Sequence, residues 1–345
     1  MRAGTRLTLA APPPDPFGEH RRAAFRARLQ LLGGRFDFET DSARLLRIVQ
    51  IAYAGLPPHK LSAPVPCLRV KLVLSAPERA AHRPRSEPPP VRPLSGAGML
   101  CGALDGASFV GLSAPQRAAL IVVSQDLLRH AYHIRYELLE FAVYVLAARV
   151  QGLVPLHGAC VGSAGRSILL VGPSGAGKST LVLQCLLDGL EVVAEDSVLV
   201  QPHGLRATGV ANFLHLRPEA LRFLDDARRA ALLRSAAVIR RRSGVKKLEI
   251  DLRRLQYRLA AAPPRISALV FLSSRPADRG ALVTPLRRSP ALRRLAALQR
   301  YASRQPGWSA FRGQLARLPA YELRRAAHPR EAVQALRALL APQAQ

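Results

Sequence analysis

Acidic residues are scarce in this sequence, which has 23 Asp and Glu against 51 Lys and Arg and a formal net charge of +28. A positive field of this size attracts polyanions such as nucleic acid, anionic lipid and nucleotide phosphate. The basic residues are spread over the whole chain, however, whereas nucleic-acid-binding proteins usually concentrate them on one helix or arm with interleaved aromatic residues. We therefore expect no specific binding of nucleic acid.

Cysteines, aromatic residues and long apolar runs are also few. The four cysteines lie far apart and form no C-x-x-C pair or Cys/His ligand spacing, which argues against structural zinc. Cys160 and Cys185 lie in apolar runs, where a free thiol behaves as a small buried hydrophobic group, and this predicts a reducing compartment. No stretch has the roughly 18 uninterrupted apolar residues of a spanning helix, and residues 1–17 lack the apolar region of a signal peptide. These absences predict a cytoplasmic protein with no membrane span.

The length and composition suggest about two domains, because 345 residues with 49% hydrophobic residues can build more than one core. We expect a smaller α+β domain over residues 1–150 and a nucleotide-binding α/β domain over residues 151–345. The segment 76–95 has six prolines and no periodicity, which predicts an extended loop or linker.

Hydrophobic periodicity predicts the elements of the first part. Residues 18–55 are predicted to form two helical segments, the second from Asp41 to Tyr53. Alternating apolar residues predict strands over Cys67–Ser75, Met99–Leu104, Ser108–Leu112 and Ala119–Val123, followed by a long helix over Ile134–Gln151.

From Val154 onward the pattern becomes strand, loop, helix, strand. A hairpin is predicted over 154–171, with a turn at 163–166 and a second strand that leads into a glycine-rich loop. A helix then extends to about Asp188. Further strands are predicted over Glu191–Ala194, Ser197–Gln201, Phe213–Leu216, Leu248–Leu252 and Ile266–Leu272, and further helices over Pro218–Arg228, Pro290–Arg304 and His328–Leu340.

The glycine-rich loop satisfies the P-loop pattern G-x-x-x-x-G-K-[ST], with an apolar strand before it and a helix after it. The glycines let the backbone N–H groups and the helix N-terminus face phosphates, Lys178 reaches the β- and γ-phosphates, and the Ser179 hydroxyl is suited to bind Mg²⁺. The predicted nucleotide-binding residues are Gly172, Pro173, Ser174, Gly175, Ala176, Gly177, Lys178, Ser179 and Thr180.

Two carboxylates, Glu195 and Asp196, end an apolar strand in this acid-poor chain. A strand parallel to the P-loop strand would bring them beside the γ-phosphate, where they suit Mg²⁺ coordination or proton abstraction from an acceptor hydroxyl. A turn or helix-capping role for Asp196 is the alternative. His157 precedes the P-loop on the neighbouring arm of the predicted hairpin, and its spacing leaves both a structural and a catalytic role open.

The stretches LHGACV, ILLVGPSGAGKST and DGLEVVAEDSVLV occur in one register between Leu156 and Val200. In this register the sequence resembles the C-terminal catalytic domain of HPr kinase/phosphorylase, a bacterial protein-serine kinase with a P-loop of the phosphoenolpyruvate-carboxykinase type. The resemblance implies ATP and Mg²⁺ as cofactors. It matches His157 and Lys178 to catalytic positions, Ser179 to a Mg²⁺ ligand, and Asp196 to the residue that takes the proton from the acceptor serine, while Glu195 completes the acidic pair.

Further along the chain the resemblance becomes incomplete. The family has a Glu-x-Arg-Gly motif whose Glu helps to bind metal, and here His215 stands in place of that Glu. Arg275 and Arg279 are the candidates for a catalytic arginine after the strand Ile266–Leu272, and a solvated turn charge is the alternative for either. The phosphorylase-linked loop is only echoed by Thr284–Pro290, which lacks the family's glycine and asparagine.

The sequence therefore predicts an ATP-dependent kinase that phosphorylates a hydroxyl, that of serine, in a protein or peptide acceptor. A kinase for a small molecule or a peptide product of a biosynthetic pathway, and a non-catalytic nucleotide-dependent switch, stay open as alternatives. Residues 1–150 are candidates for substrate recognition. The basic segment 240–247 could clamp a phosphate or an acidic substrate or could be a solvated loop, and a homo-oligomer is also open.

Overall fold

The computed structural model describes residues 23–75, 87–254, 257–277 and 280–341. Within these ranges the chain forms a mixed α/β structure with four β-sheets. Arg279 and residues 76–86 of the proline-rich segment lie outside the described residues. No helix in the described ranges is long and apolar enough to cross a membrane.

The first sheet has seven strands in the order β1-β2-β3-β7-β6-β5-β4, in which β2, β3 and β7 run parallel and the other neighbours pair antiparallel. Its strands are β1 (Phe25–Leu31), β2 (Gly34–Thr40), β3 (Cys67–Leu74), β4 (Arg92–Gly96), β5 (Met99–Ala103), β6 (Phe109–Ser113) and β7 (Ala118–Val123). The predictions for β3, β5, β6 and β7 are confirmed.

Two predictions for this part are wrong. The first helical segment predicted within 18–55 is instead the β1–β2 hairpin over its described residues, because Gly34, Phe36, Phe38 and Thr40 are buried at every second position. The loop predicted over 76–95 also includes strand β4, whose residues are all exposed and therefore carry no apolar alternation; pairing with β5 holds it in the sheet.

Helices cover the first sheet and contribute to its core. Helix α1 (Ala43–Tyr53) starts at Ser42, whose hydroxyl accepts a hydrogen bond from the Leu45 N–H, as expected of an N-cap residue. The predicted long helix is present: α2 (Ala131–His133) continues through a π-helix (Ile134–Leu139) into α3 (Glu140–Gln151). A 3₁₀ turn, Leu127–Arg129, precedes it.

The second sheet contains the P-loop strand and has the order β11-β9-β10-β17-β19-β18, with β10, β17 and β19 parallel. The remaining strands form two three-stranded sheets, β13-β12-β8 and β14-β16-β15. The strands are β8 (Val154–His157), β9 (Ala159–Ser163), β10 (Arg166–Val171), β11 (Glu191–Ala194), β12 (Ser197–Val200), β13 (Ala207–Gly209), β14 (Phe213–Leu216), β15 (Ala237–Arg240), β16 (Lys246–Asp251), β17 (Arg265–Pro276), β18 (Val283–Pro285) and β19 (Ala320–Arg325).

Helices lie on both faces of the six-stranded sheet. The helices of this part of the chain are α4 (Lys178–Leu187), α5 (Asp226–Ser235), α6 (Arg288–Leu298), α7 (Trp308–Leu315) and α8 (Pro329–Leu340), with 3₁₀ turns at Pro218–Phe223 and Ala302–Arg304. Of these, α5 contacts β16 of the sheet β14-β16-β15. Ile168 and Leu170 of β10 pack in the cluster that includes α4 and α8, whereas Leu169 and Val171 pack in the cluster that includes α6 and α7. A strand covered on both faces needs an uninterrupted apolar run, and β10 has one.

The predicted helix Pro218–Arg228 is wrong as a single element. The Asp225 carboxylate accepts a hydrogen bond of 2.8 Å from the Arg228 N–H, so a new helix, α5, starts there after the 3₁₀ turn. The predicted helix Pro290–Arg304 similarly separates into α6 and a 3₁₀ turn, whereas the predicted C-terminal helix is confirmed as α8.

Candidate active site

The P-loop connects the end of β10 to the start of α4. Gly175 and Gly177 have positive φ values of 83° and 92°, which side chains with a Cβ rarely adopt. The predicted sequence of strand, loop and helix is therefore present, and the loop conformation depends on glycine at these two positions. The N-terminus of α4 faces the loop, as an anion-binding helix end requires.

Lys178, the first residue of α4, is buried against its own loop. Its Nζ donates hydrogen bonds to the carbonyl oxygens of Gly172, at 2.8 Å, and Pro173, at 3.2 Å. Burial lowers the pKa of Lys178, while Asp196 and Glu195 oppose this shift. The ammonium thus lies between the loop and the acidic pair.

The next residue of the loop, Ser179, contacts the acidic pair directly. Its hydroxyl donates a short hydrogen bond to Glu195 Oε1. Glu195 is 6% exposed, and burial together with the neighbouring Asp196 raises its pKa to about 7, although the bond from Ser179 opposes the shift. Strand β11 runs antiparallel to β9, and β9 antiparallel to β10, so β11 has the direction of the P-loop strand, as the sequence predicted.

His157 and Asp196 meet through strand pairing. His157 Nδ1 lies 3.4 Å from Asp196 Oδ1, and the two side chains are 54% and 53% exposed. The strand that carries His157 is placed differently from the prediction: β8 is not an arm of the P-loop hairpin but pairs with β12, which places Ser197 opposite His157. Gly158 then allows the chain to cross to β9, because a Cβ there would lie 2.7 Å from the carbonyl oxygen of Leu170.

A residue that sequence reasoning missed, Gln299, holds the backbone of His157. Gln299 is 4% exposed; its Nε2 donates to the His157 carbonyl oxygen at 2.7 Å, and its Oε1 accepts from the His157 N–H at 2.8 Å. This double hydrogen bond fixes the end of β8. A lone glutamine far along the chain gives no sequence signal of such a contact.

His215, which stands where the resemblance predicts a metal-binding Glu, belongs to a buried hydrogen-bonded network. His215 Nε2 lies 3.4 Å from Glu249 Oε1, and its Nδ1 lies 3.1 Å from Arg241 Nη2. Arg135 of the π-helix contacts both oxygens of Glu249 at 2.8 and 2.7 Å, and Tyr136 donates to Oε1 at 2.8 Å. With Nδ1 accepting from Arg241, His215 would donate its Nε2–H to Glu249, and this arrangement orients the Arg241 guanidinium.

The Glu249 carboxylate is the charged centre of this network. Burial alone would raise its pKa, but hydrogen bonds from His215 and Arg135, together with the charge of Arg135, lower the pKa to about 2. Glu249 and Arg135 have side chains that are 8% and 10% exposed, so their pairing is largely shielded from solvent.

A cavity of about 660 Å³, here called the P-loop cavity, joins most of the predicted site residues. It is lined by P-loop residues 174–181, His157, Asp196 and His215. Its wall also carries the cationic residues Arg217, Arg222, Arg241, Lys247, Arg324 and Arg325, with only Glu219 added to the acidic side. The basic segment 240–247 thus contributes to the cavity in part, and the cavity matches a polyanionic ligand.

A second cavity of about 470 Å³ lies against the first and is here called the tyrosine cavity. Tyr132, Tyr136 and Tyr144 line it, and Asp196, His215, Arg241 and Ser243 line both cavities. Glu137, Glu140 and Glu195 also line it. Burial, reinforced by Asp196, raises the pKa of Glu140 to about 8.

Other predicted residues lie away from this centre. Arg275 is exposed at the end of β17 and does not line the P-loop cavity, although Ser273 and Ser274 do. Residues 284–290, in β18 and the start of α6, line neither cavity. Arg279 lies outside the described residues, so its predicted role stays a prediction.

The residues of the P-loop cavity fit MgATP by their chemistry. The volume is in the range of about 300–1,000 Å³ that is usual for ligand sites, and most of the charged residues in the wall are cationic. Ser179 Oγ and the Glu195 carboxylate supply adjacent oxygen donors, which Mg²⁺ prefers. No group of three or more His, Cys, Asp or Glu suited to a metal occurs among the described residues, and a Mg²⁺ ion held by one or two protein ligands and phosphate oxygens needs none.

Comparison with known proteins adds no family to this geometry. The sequence matches no protein-family model, and a search of the curated proteins finds no significant match. The interpretation of the site therefore depends on the residues themselves and on the resemblance between Leu156 and Val200.

Proposed function

We propose that this protein is an ATP-dependent phosphotransferase of the HPr-kinase-like type, which transfers the γ-phosphate of ATP to a hydroxyl of a protein or peptide acceptor. The observation that carries the proposal is the meeting of three predicted elements at the P-loop cavity. Lys178, Ser179, His157 and Asp196 line it, and Glu195, which lines the adjoining tyrosine cavity, accepts a hydrogen bond from Ser179. Such a set is sufficient for phosphoryl transfer, in which positioning and charge neutralisation do most of the work.

Each residue has a role that its surroundings support. The loop N–H groups and Lys178 would bind the β- and γ-phosphates, and Ser179 with Glu195 would hold Mg²⁺, which when bound neutralises phosphate charge. Asp196, half exposed and next to the phosphate end of the loop, would accept the proton of the attacking hydroxyl. His157 would orient the Asp196 carboxylate.

Arg241 is an additional candidate for the charge that develops on the transferred phosphoryl group. It lines both cavities, and its contact with His215 Nδ1 orients it. Preorganised cations of this kind are a main source of transition-state stabilisation. In this protein, Arg241 could take the role that the resemblance gives to Arg275 or Arg279.

The test is a phosphotransfer assay with γ-labelled ATP and Mg²⁺ against hydroxyl-bearing peptides and small molecules. Asp196→Asn should reduce transfer by about 10²- to 10⁴-fold, because it removes the general base, and should leave the affinity for MgATP near that of the wild type. Calorimetric titration with a non-hydrolysable ATP analogue measures that affinity separately. Asp126→Asn, a change in an exposed ion pair that lines neither cavity, serves as the matched control.

Two results would correct the proposal in different ways. If Glu195→Gln reduces transfer more than Asp196→Asn, the roles within the acidic pair are reversed. If the wild type binds ATP but transfers phosphate to no hydroxyl, the nucleotide-dependent switch is the better description and the kinase proposal fails.

A further inference from the structure

The tyrosine cavity adjoins the P-loop cavity at the proposed general base. Asp196 lines both cavities, together with His215, Arg241 and Ser243. A hydroxyl held in the tyrosine cavity would therefore reach the same carboxylate that the P-loop cavity presents. Its volume of about 470 Å³ is within the usual range of ligand sites, about 300–1,000 Å³.

The walls of this cavity contain more acidic than basic residues, although the chain as a whole is strongly basic. Four carboxyl groups, those of Glu137, Glu140, Glu195 and Asp196, line it together with two arginines. One of these arginines is already neutralised, because Arg242 forms an ion pair with Glu137. Glu140, Glu195 and Asp196 remain beside one further arginine, Arg241, and because burial raises the pKa of Glu140 to about 8, a bound cation would favour its ionised form.

Structural roles account for some of these acids but not for Glu140. Glu137 accepts hydrogen bonds from Arg242 and from His133, and Glu195 accepts one from Ser179. The Glu140 carboxyl has no hydrogen-bond partner or ion pair among the described residues, although it is part-buried at the start of α3. A part-buried carboxyl that lines a cavity without a protein partner is suited to a partner on a ligand.

Aromatic rings stand next to this carboxyl. The ring centroids of Tyr132 and Tyr136 are 4.8 Å apart, and Tyr136 also makes an edge contact with His215 at 5.1 Å. Tyr144 lies one helical turn beyond Glu140 on α3 and lines the same cavity. Tyrosine faces combined with carboxylates are the usual surroundings of a bound organic cation, through charge pairing and cation–π attraction.

We propose that the tyrosine cavity is the acceptor site, and that it takes a hydroxyl compound carrying a protonated amine, with the amine against Glu140 and the tyrosines and the hydroxyl toward Asp196. The inference depends on the proposed phosphotransferase function and specifies its substrate class. Two sources share this chemistry: a small amino alcohol or amino sugar, and a seryl peptide with an amine close to the serine.

The experiment uses matched pairs of probes that differ in the amine. Glucosamine and glucose form the small-molecule pair, and a capped Ala-Ser-Lys-Ala peptide and its norleucine counterpart form the peptide pair. Transfer of label from γ-labelled ATP is measured for each probe as kcat/KM. The amine-bearing member of at least one pair should be favoured by about tenfold or more, since an ion pair in a partly desolvated site is worth at least that factor. The pair that shows the preference identifies the source.

The variant Glu140→Gln removes the charge with little change in size. It should raise KM for the favoured amine probe by about tenfold and leave KM for its neutral partner within about twofold, so that the preference disappears. Rescue of the preference by Glu140→Asp would support a role in recognition over a role in folding. Glu39→Gln, on β2 of the seven-stranded sheet and outside the lining of both cavities, is the matched control.

Equal kcat/KM within both pairs, preference for the neutral probes, or a preference that survives Glu140→Gln would each overturn the inference. If no probe is phosphorylated, binding of the amine probes is measured by calorimetry with the ATP analogue present, and absence of binding also overturns it. The proposed function is judged separately: it fails only if no hydroxyl accepts phosphate, whereas transfer without amine preference contradicts the acceptor class alone.

Discussion

The two cavities that meet at Asp196 have opposite chemistry. The P-loop cavity is walled by cations, among them Lys178, Lys247 and Arg324, whereas the tyrosine cavity is walled by carboxyl groups and phenol rings. In a chain of net charge +28, a cationic wall needs little explanation, but a group of acids does. The net charge of the chain therefore does not predict the charge of the residues that line each cavity. The positions of a few acidic residues decide what each cavity can bind.

Arg241 and His215 lie where the two cavities meet. Both line the two cavities; Arg241 contacts His215, His215 contacts Glu249, and Glu249 is held by Arg135 from the π-helix. The first part of the chain therefore lines the tyrosine cavity and also, through Arg135, helps to hold His215 and Arg241 in place. Three predictions test the contrast between the cavities, and they follow in order of decreasing effect.

Lys178→Ala should nearly abolish both ATP affinity and turnover, because the β- and γ-phosphates lose the cation that the P-loop itself supplies. Calorimetric titration with ATP and the phosphotransfer assay measure the two effects. Lys246→Ala is the matched control, since Lys246 is an exposed lysine of β16 that does not line the P-loop cavity. Unchanged ATP affinity in Lys178→Ala would show that the cationic wall does not bind phosphate through the loop.

Glu249→Gln should lower the free energy of unfolding by about 3 kcal/mol at neutral pH, because it leaves the buried Arg135 guanidinium without its counter-charge. Urea unfolding of the wild type and the variant gives this difference. The exposed pair of Asp126 and Arg129 provides the comparison, since Asp126→Asn should change the unfolding free energy by less than about 1 kcal/mol.

The pH dependence of this effect has a definite sign. The pKa of Glu249 is lowered from its ordinary value of 4.5 to about 2 in the folded protein, so its stabilisation is fully present above 4.5 and is lost as the pH falls toward 2. The difference between wild type and Glu249→Gln should therefore shrink over that interval. A difference that stays constant with pH would mean that packing, and not the charge of Glu249, stabilises the network.

The smallest effect is expected for the reverse reaction: the protein should be a poor phosphorylase. Residues 284–290 lack the glycine that permits close backbone approach to a second phosphate, and they line neither cavity. The measurement is dephosphorylation of the purified phospho-acceptor with enzyme, Mg²⁺ and millimolar phosphate. A rate comparable to that of the forward reaction would show that another part of the cationic wall binds the attacking phosphate.

The elements were predictable where the apolar pattern was strong. Strands β3, β10 and β17 and helices α1 and α8 follow directly from their periodicity. The β1–β2 hairpin was not predictable, because its short apolar alternation directly precedes the helical periodicity of α1 and cannot be separated from it by pattern alone. Strand β4 carried no signal at all, since its residues are exposed and its place depends on pairing with β5.

The residues of the candidate site were also predictable only in part. The P-loop and the acidic pair were predictable because their residues are close in sequence. Arg241 lies in the basic segment 240–247, a candidate phosphate clamp in the sequence, but its contact with His215 was not predictable. Neither were the contacts of Gln299 with His157 and of Arg135 with Glu249, since each joins residues that are far apart in the chain. The predicted boundary near residue 150 and the roles of the site residues stay predictions.

The sequence by itself determined the strand, glycine-rich loop and helix around Lys178, because backbone conformation over a few residues depends on local preferences and on glycine at Gly175 and Gly177. The side chains that surround that loop depend on the tertiary fold. The pairing of β8 with β12 brought His157 to Asp196, and the packing of the π-helix against β16 brought Arg135 to Glu249. Such contacts between distant residues are selected by the burial and hydrogen bonding of the whole fold, which leave no periodic trace in the sequence.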